Sequence, residues 1–167
     1  MNKPTIVIDA HIPFIKGVLE SVAHVSYYPA NEITADVVRH ADALIVRTRT
    51  ACNEALLAHS SVRFIATATI GFDHIDADFC AARSIAWTNA AGCNASSVAQ
   101  YIGSALAFWA NKNQCTLAGK TLGVVGVGHV GTEVVRMAQL LGMRVLVNDP
   151  PRAMEDKTTG FVSLDVI

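Results

Sequence analysis

Short apolar runs alternate with mixed stretches along the first ninety residues. Thr5-Ile6-Val7-Ile8, Val25 to Tyr28, Ala43 to Val46, Phe64 to Thr69 and Ile85 to Thr88 carry the β-branched and aromatic residues of short strands. Between them, Pro13 to Val22, the stretch from Thr34-Ala35-Asp36, Asn53 to Ala58 and Asp76 to Arg83 predict helices. Pro13 suits a first helical turn, and Thr34 is a natural N-cap. Five apolar strands separated by helices predict a parallel sheet covered on both faces.

The small, polar segment Asn89-Ala90-Ala91-Gly92-Cys93-Asn94 breaks this rhythm. Ala95 to Asn111 then reads as one long helix, apolar nearly all round, and is expected to be buried and to cross between two domains. A second alternation follows, with a strand at Lys120 to Gly126, a helix at Val130 to Leu141 and a strand at Arg144 to Asn148. Val130, Val134, Met137, Ala138 and Leu141 share one helical face, and Gly142 suits the residue just past a helix end. Arg152 to Gly160 reads as a polar connector, and Phe161 to Ile167 opens a further element. The expected architecture is α/β. Residues 1–94 form a flavodoxin-like parallel-sheet domain, and residues 95–167 an interdomain helix plus the first βαβ unit of a Rossmann domain. With two strands alone, Val145-Leu146-Val147 is expected to form an uncovered apolar edge.

Composition narrows the function classes. The 167 residues are 51% hydrophobic and 16% charged, which is enough apolar material for a core and excludes a disordered chain. Thirteen Lys plus Arg against fourteen Asp plus Glu give a net charge of −1, with no basic footprint for nucleic acid and no cationic cluster for a membrane surface. The longest apolar stretch, Val98 to Ala110, falls short of the roughly 20 residues a membrane span needs. Asp9 follows the first apolar run too soon for a signal peptide. Cys52, Cys80, Cys93 and Cys115 form no Cys-x-x-Cys pair, which suggests a reducing compartment and a soluble, cytoplasmic protein. Cys93 and Cys115 read as small packing residues rather than nucleophiles.

The candidate chemistry lies at Gly126-Val127-Gly128-His129-Val130-Gly131, a GxGxxG. Alone that pattern is weak. Here a strand precedes it, an amphipathic helix follows, and Asp149 ends the next strand. Gly126 allows the tight turn, Gly128 lets a pyrophosphate approach the backbone, and Gly131 lets helix and strand pack closely. Free N–H groups around His129 and Val130 would face the anion, helped by the helix dipole. The Asp149 carboxylate suits an adenosine ribose and repels a 2′-phosphate, favouring NAD over NADP, while Arg152 weakens that preference slightly. The competing reading is a glycine turn in a flavodoxin-like domain that holds no dinucleotide.

The arrangement resembles the D-isomer-specific 2-hydroxyacid dehydrogenases. The resemblance covers nearly the whole chain. It rests on Ile8-Asp9 with Ile12-Pro13, on Asp42 to Arg47, on Val62 to His74 with its Thr-Ala-Thr-Ile-Gly loop, on Ala91-Gly92-Cys93-Asn94-Ala95, on Val124 to Gly128 and on Asn148-Asp149-Pro150-Pro151-Arg152. It implies oxidation of a small, here phosphorylated, 2-hydroxy acid with NAD as hydride acceptor, and a homodimer at full length. Thr48, where the family more often has Ser, and Thr69 match its substrate-contacting positions. Loop N–H groups around Ile70 and Gly71 are expected to hold the substrate carboxylate. The family's catalytic Arg, Glu and His come from segments beyond the second cofactor-domain strand, so these residues are read as the N-terminal part of a dehydrogenase without a catalytic group of its own.

Other readings stay in view. One alternative is a dehydrogenase for another D-2-hydroxy acid, such as 3-phosphoglycerate or D-lactate; another is an inactive dinucleotide- or partner-binding module. His74 among Asp73, Asp76 and Asp78 looks briefly like a metal cluster, but acids dressing a helix N-terminus explain it better, and no metal is expected.

Overall fold

The computed structural model describes residues 3–156 and 160–167. Residues 1–2 at the N-terminus and 157–159 of the expected polar connector lie outside the described part. The chain divides into two compact units, one up to Ala91 and one from Gly92 onward.

The first unit is a five-stranded, all-parallel sheet. Its strands are β1 (Thr5–Asp9), β2 (His24–Tyr28), β3 (Ala43–Val46), β4 (Phe64–Thr67) and β5 (Ala86–Asn89), in spatial order β2-β1-β3-β4-β5. Three short helices connect them, α1 (Ala35–Val38), α2 (Glu54–Leu57) and α3 (Ala77–Ala82). Ile8, Val38, Leu44, Val46, Leu57 and Ile65 are fully buried, so burial of both sheet faces drives this unit. The doubly covered parallel sheet is the expected α/β class.

Local capping sets the short helices. Asn53 accepts from Leu56 N at 3.3 Å, and Asp76 Oδ1 accepts from Phe79 N at 2.9 Å. Thr34 holds the N-cap position of α1 but makes no side-chain capping bond. The expected helix over Pro13 to Val22 does not form, and the segment runs through turns instead. Phe14 and Gly17 take φ of 59° and 87°, and Phe14, Val18 and Val22 face solvent, leaving no apolar face to dock. The Glu20 carboxylate collects Gly17 N, Leu19 N and Tyr27 Oη instead, and these bonds, the tyrosine's foremost, pull its pKa down to about 2.

The second unit holds α4 (Ala95–Lys112), β6 (Thr121–Val125), α5 (His129–Leu140), β7 (Arg144–Asn148) and α6 (Pro150–Asp156). β6 and β7 pair in parallel around α5, forming the βαβ unit. Val124 and Val134 form its core with Ala99 of α4. Gly142 takes φ of 73° just past α5, and Leu141 stays partly exposed. The all-round burial expected of α4 is not found: Ala95, Ala99 and Ala110 are its buried residues, while Tyr101 and Phe108 are 75% and 69% exposed. Small alanines make the close contacts and leave the aromatic positions outside.

Two further expectations are corrected. The stretch after Asp149 is helical, because Pro150 supplies a pre-set first-turn φ and Asp149 Oδ1 accepts from Arg152 N at 3.2 Å. The edge at Val145 to Val147 is partly covered. Phe161 bridges Val147 in parallel, Val162 N donates to Val147 O at 2.8 Å, and Asn148 Nδ2 donates to Val162 O at 2.7 Å. Cys93 is exposed and Cys115 half-buried, so Cys93 is no packing residue; Cys52 and Cys80 are the buried thiols.

Candidate functional site

In the first unit the sequence-chosen residues gather at the carboxyl ends of β3 and β4, where open parallel sheets place ligands. Val46 and Thr67 are register partners, so Thr48 and Thr69 each lie two residues beyond the same rung of adjacent strands. Thr48 is exposed on a turn closed by Thr50 N donating to Arg47 O at 3.1 Å. Thr69 is half-buried and its hydroxyl works within its own loop. It donates to Gly71 O at 3.0 Å and pairs with Thr67 Oγ1 at 2.7 Å, while Thr67 Oγ1 pairs with His74 Nε2 at 3.0 Å. With Thr69 committed as donor to Gly71, Thr67 donates to Thr69 and His74 donates from Nε2. Burial lowers the His74 pKa, with Asp73 opposing in part, which favours this neutral imidazole.

The same loop is tied from outside. Ala90 N donates to Thr69 O at 3.0 Å, and Asn89 Nδ2 donates to Ile70 O at 2.7 Å. These bonds consume the carbonyls of Thr69, Ile70 and Gly71. Among the described residues the Ile70 and Gly71 N–H groups find no acceptor, so the loop offers donors outward, as an anion-binding turn does. His74 is therefore a loop brace, and Asp76 a helix cap. Among the described residues, no group of three or more His, Cys, Asp or Glu could hold a metal ion.

One residue pair was missed by sequence reasoning. Asp9 ends β1 fully buried; Arg47 Nε donates to its Oδ2 at 2.9 Å, and His11 N to its Oδ1 at 2.9 Å. Burial pushes the Asp9 pKa up, but the bonds from Arg47 and His11 outweigh it and hold the carboxyl below its ordinary value. A buried Asp at a strand end, with Arg at the end of its neighbour, was the available signal.

In the second unit the glycine motif forms the strand–turn–helix seen in dinucleotide sites. Gly126 takes φ of 85°, which only glycine adopts freely. A Cβ on Gly131 would collide with the Gly126 carbonyl oxygen, so this glycine is demanded by helix–strand contact. Gly128 differs: its φ is −73° and nothing lies within 4 Å of a Cβ built there. Packing does not require a glycine at 128, and the space it leaves lies at the start of α5. Gly128 caps α5 without a side-chain bond, so the N–H groups of His129, Val130 and Gly131 face outward. The His129 ring packs on the backbone of Gly92, where an added Cβ would stand 2.8 Å from Cγ. That contact explains a glycine at position 92.

Asp149 faces this cradle and also builds it. Its Oδ2 accepts from Val127 N at 2.7 Å and its Oδ1 from Arg152 N; these backbone bonds, Val127's foremost, lower its pKa and keep it anionic. The Arg152 guanidinium donates to Val127 O and, at 3.2 Å, to Thr132 Oγ1. It is thereby engaged on the glycine loop, in the lining of the same cavity as Asp149. Gly128, His129, Thr132, Asp149, Arg152 and Glu155 line a cavity of about 570 Å³, within the size range of small-molecule sites. Open space at Gly128, free helix N–H groups and an anchored carboxylate fit the adenosine and pyrophosphate of a dinucleotide.

A model of the D-isomer specific 2-hydroxyacid dehydrogenase catalytic domain matches residues 7–154. The erythronate-4-phosphate dehydrogenase of Bacteroides thetaiotaomicron is 50% identical over 163 residues, 97% of this chain and 47% of that protein. The enzyme of that name from Porphyromonas gingivalis is 43% identical over 95% of this chain and 43% of its own length. This chain thus spans about half the length of the curated relatives it matches. Among solved structures, NAD+-bound 3-phosphoglycerate dehydrogenase of Entamoeba histolytica superposes with a TM-score of 0.68 at 30% identity, over 89% of this chain and 54% of that one. D-lactate dehydrogenase of Aquifex aeolicus, with NAD and lactic acid, gives 0.67 at 23% identity over 97% and 56%, a likeness of fold. Both units thus fall within one known pattern, and the chain belongs to the D-isomer specific 2-hydroxyacid dehydrogenase family.

Proposed function

We propose that this chain supplies the substrate loop and the adenosine-side cofactor cradle of an NAD-dependent dehydrogenase. In this reading the enzyme oxidises 4-phospho-D-erythronate to 2-oxo-3-hydroxy-4-phosphobutanoate in pyridoxal phosphate biosynthesis, in the cytoplasm. The observation that carries the substrate is the 50% identity to an erythronate-4-phosphate dehydrogenase across 97% of this chain. NAD accepts the hydride when bound. Gly126, Gly128 and Gly131 shape its seat, the N–H groups of His129 and Val130 meet the pyrophosphate, and Asp149 receives the ribose hydroxyls. Thr48, Thr69 and the N–H groups of Ile70 and Gly71 hold the substrate's carboxylate end. The base for the hydroxyl proton and the cation for the carboxylate are the family's His, Glu and Arg, none of which matches a residue here.

The test is a chimera in which residues 1–167 replace the matching half of the Bacteroides thetaiotaomicron enzyme. NADH formation is followed with 4-phospho-D-erythronate, 3-phosphoglycerate and D-lactate. The reading expects the first to be preferred and residues 1–167 alone to form no NADH. A chimera that folds but prefers either other acid overturns the substrate. NADH formation by residues 1–167 alone overturns the division of labour. Light scattering of the same chimera tests the expected homodimer.

A further inference from the structure

The loop after β4 carries three hydrogen bonds in series, and the supply of donors fixes the direction of each. Gly71 O is a carbonyl and can only accept, so the single hydroxyl proton of Thr69 is spent on it at 3.0 Å. Thr67 Oγ1, 2.7 Å from Thr69 Oγ1, must then donate to it, and His74 Nε2, 3.0 Å from Thr67 Oγ1, must donate to Thr67. The protons run one way, from His74 through Thr67 and Thr69 to Gly71. Burial, opposed in part by Asp73, favours the neutral ring, whose one proton then sits on Nε2. The source of the series is anchored. Thr67 is 3% exposed. Cys52 N donates to His74 O at 2.7 Å, and Asp76 N to Cys52 O at 3.0 Å, which ties the histidine's backbone to the segment after β3.

Thr69 is left with one lone pair and no proton to offer. Toward a ligand it is an acceptor only, beside the outward N–H donors of Ile70 and Gly71. A carboxylate suits those N–H groups, and an O–H suits Thr69. That O–H is not the one oxidised. A reacting hydroxyl must give up its proton, and this series cannot take it, because each hydroxyl proton is committed onward and the line ends on a carbonyl. The hydroxyl that Thr69 meets is therefore a spectator, on the carbon next to the reacting one. We propose that His74 and Thr67 are positioning residues that lock Thr69 as an acceptor, and that Thr69 so locked selects 2-hydroxy acids bearing a second hydroxyl on the adjacent carbon. The assignment rests on the dehydrogenase reading above and deepens it. 4-Phospho-D-erythronate carries that second hydroxyl, whereas 3-phosphoglycerate and D-lactate do not.

NMR of the 167-residue protein tests both halves. Imidazole nitrogen shifts report the His74 tautomer without any substitution, and Nε2–H is expected. Amide shifts of Thr69, Ile70 and Gly71 then follow titration with 4-phospho-D-erythronate and with its 3-deoxy counterpart, which lacks only the spectator hydroxyl. The native protein is expected to bind the first about 3- to 10-fold tighter, the worth of one neutral hydrogen bond. His74→Leu frees the two threonine protons to turn and is expected to lose most of that preference. Thr67→Val is expected to do the same without touching the imidazole, and His74→Gln, which restores an N–H donor, to recover it. An Nδ1–H tautomer overturns the relay. Equal affinity of the native protein for the two acids overturns the acceptor role and spares the dehydrogenase reading. Variants that weaken both acids by one factor make His74 and Thr67 structural braces alone and overturn their positioning role. No shift at Thr69, Ile70 or Gly71 with either acid overturns the substrate loop itself, and with it the reading beneath.

Discussion

Gly131 and Gly128 stand three residues apart in one motif, yet the structure assigns them different work, and alanine separates the two. At Gly131 a new Cβ meets the carbonyl oxygen of Gly126, with the carbonyl carbon at 3.0 Å. That obstacle is backbone and cannot swing aside as a side-chain end would. Gly126 is itself pinned, since its N–H donates to Asn148 O at 2.8 Å and its φ is 85°. Relief therefore requires α5 to lift from β6, loosening Val134 and Ala138, which are 5% and 0% exposed. Overpacking of this kind costs about 1–3 kcal/mol. Alanine's better helix propensity returns at most about 1 kcal/mol. The expected net loss is about 1–2 kcal/mol, a factor of roughly 5–30 in the folding equilibrium.

At Gly128 the same methyl meets nothing within 4 Å, and φ of −73° suits any residue. Gly128→Ala should hold or slightly raise stability, while its methyl fills the space over the helix start and weakens NAD or ADP-ribose about tenfold or more. Urea unfolding reads both variants unit by unit, because Trp87 lies on β5 and Trp109 on α4. Trp87→Phe leaves fluorescence from the second unit alone, and calorimetry supplies the affinities. Unchanged stability in Gly131→Ala would refute the steric argument. Undiminished binding by Gly128→Ala would refute the claim that its space belongs to the dinucleotide.

Three further outcomes are expected. Arg47→Met leaves the buried Asp9 carboxylate with only the amide and imidazole of His11 and costs about 1.5–3 kcal/mol; urea unfolding followed at Trp87 checks it, and an unshifted midpoint would count against the pair. The Asp9 and Asp149 pKa values are both lowered by folding, so each carboxylate's stabilisation is complete above its ordinary unfolded value near 4 and disappears as pH falls through the lower folded value. Carboxyl NMR titration should place both transitions below that of an exposed aspartate, and either at the ordinary value would contradict the bonding described. Asp149→Ser keeps an oxygen to cap α6 but removes the charge that repels a 2′-phosphate, so NADP affinity should climb towards that of NAD. An unaltered ratio in parallel titrations would show that Asp149 does not set the choice.

What the sequence revealed, and what it hid, follows from which forces are local. The five apolar strands and the βαβ unit were legible because burial on both faces leaves uninterrupted β-branched runs such as Ala43–Val46, and because a glycine turn must sit where strand becomes helix. Pro13 to Val22 misled because its apolar spacing resembles a helix, whereas burial decides, and Val18 and Val22 find nothing to cover them. The site was half legible for a related reason. Thr48, Thr69 and Asp149 sit at strand ends that spacing locates. Their partners, His74 for Thr67, Arg47 for Asp9 and Val127 N for Asp149, are joined across separations of 7, 38 and 22 residues, which no local pattern encodes. Asp149 carries the sharpest consequence. Spacing points to a ribose ligand at this position, and the structure makes Asp149 a strut between the glycine loop and α6. Its substitution must therefore disturb loop geometry and cofactor choice together. Serine keeps one oxygen to cap α6 but gives up the bond from Val127 N, so loop geometry and cofactor choice are separated by comparing it with asparagine, which also drops the charge but retains an acceptor for Val127 N.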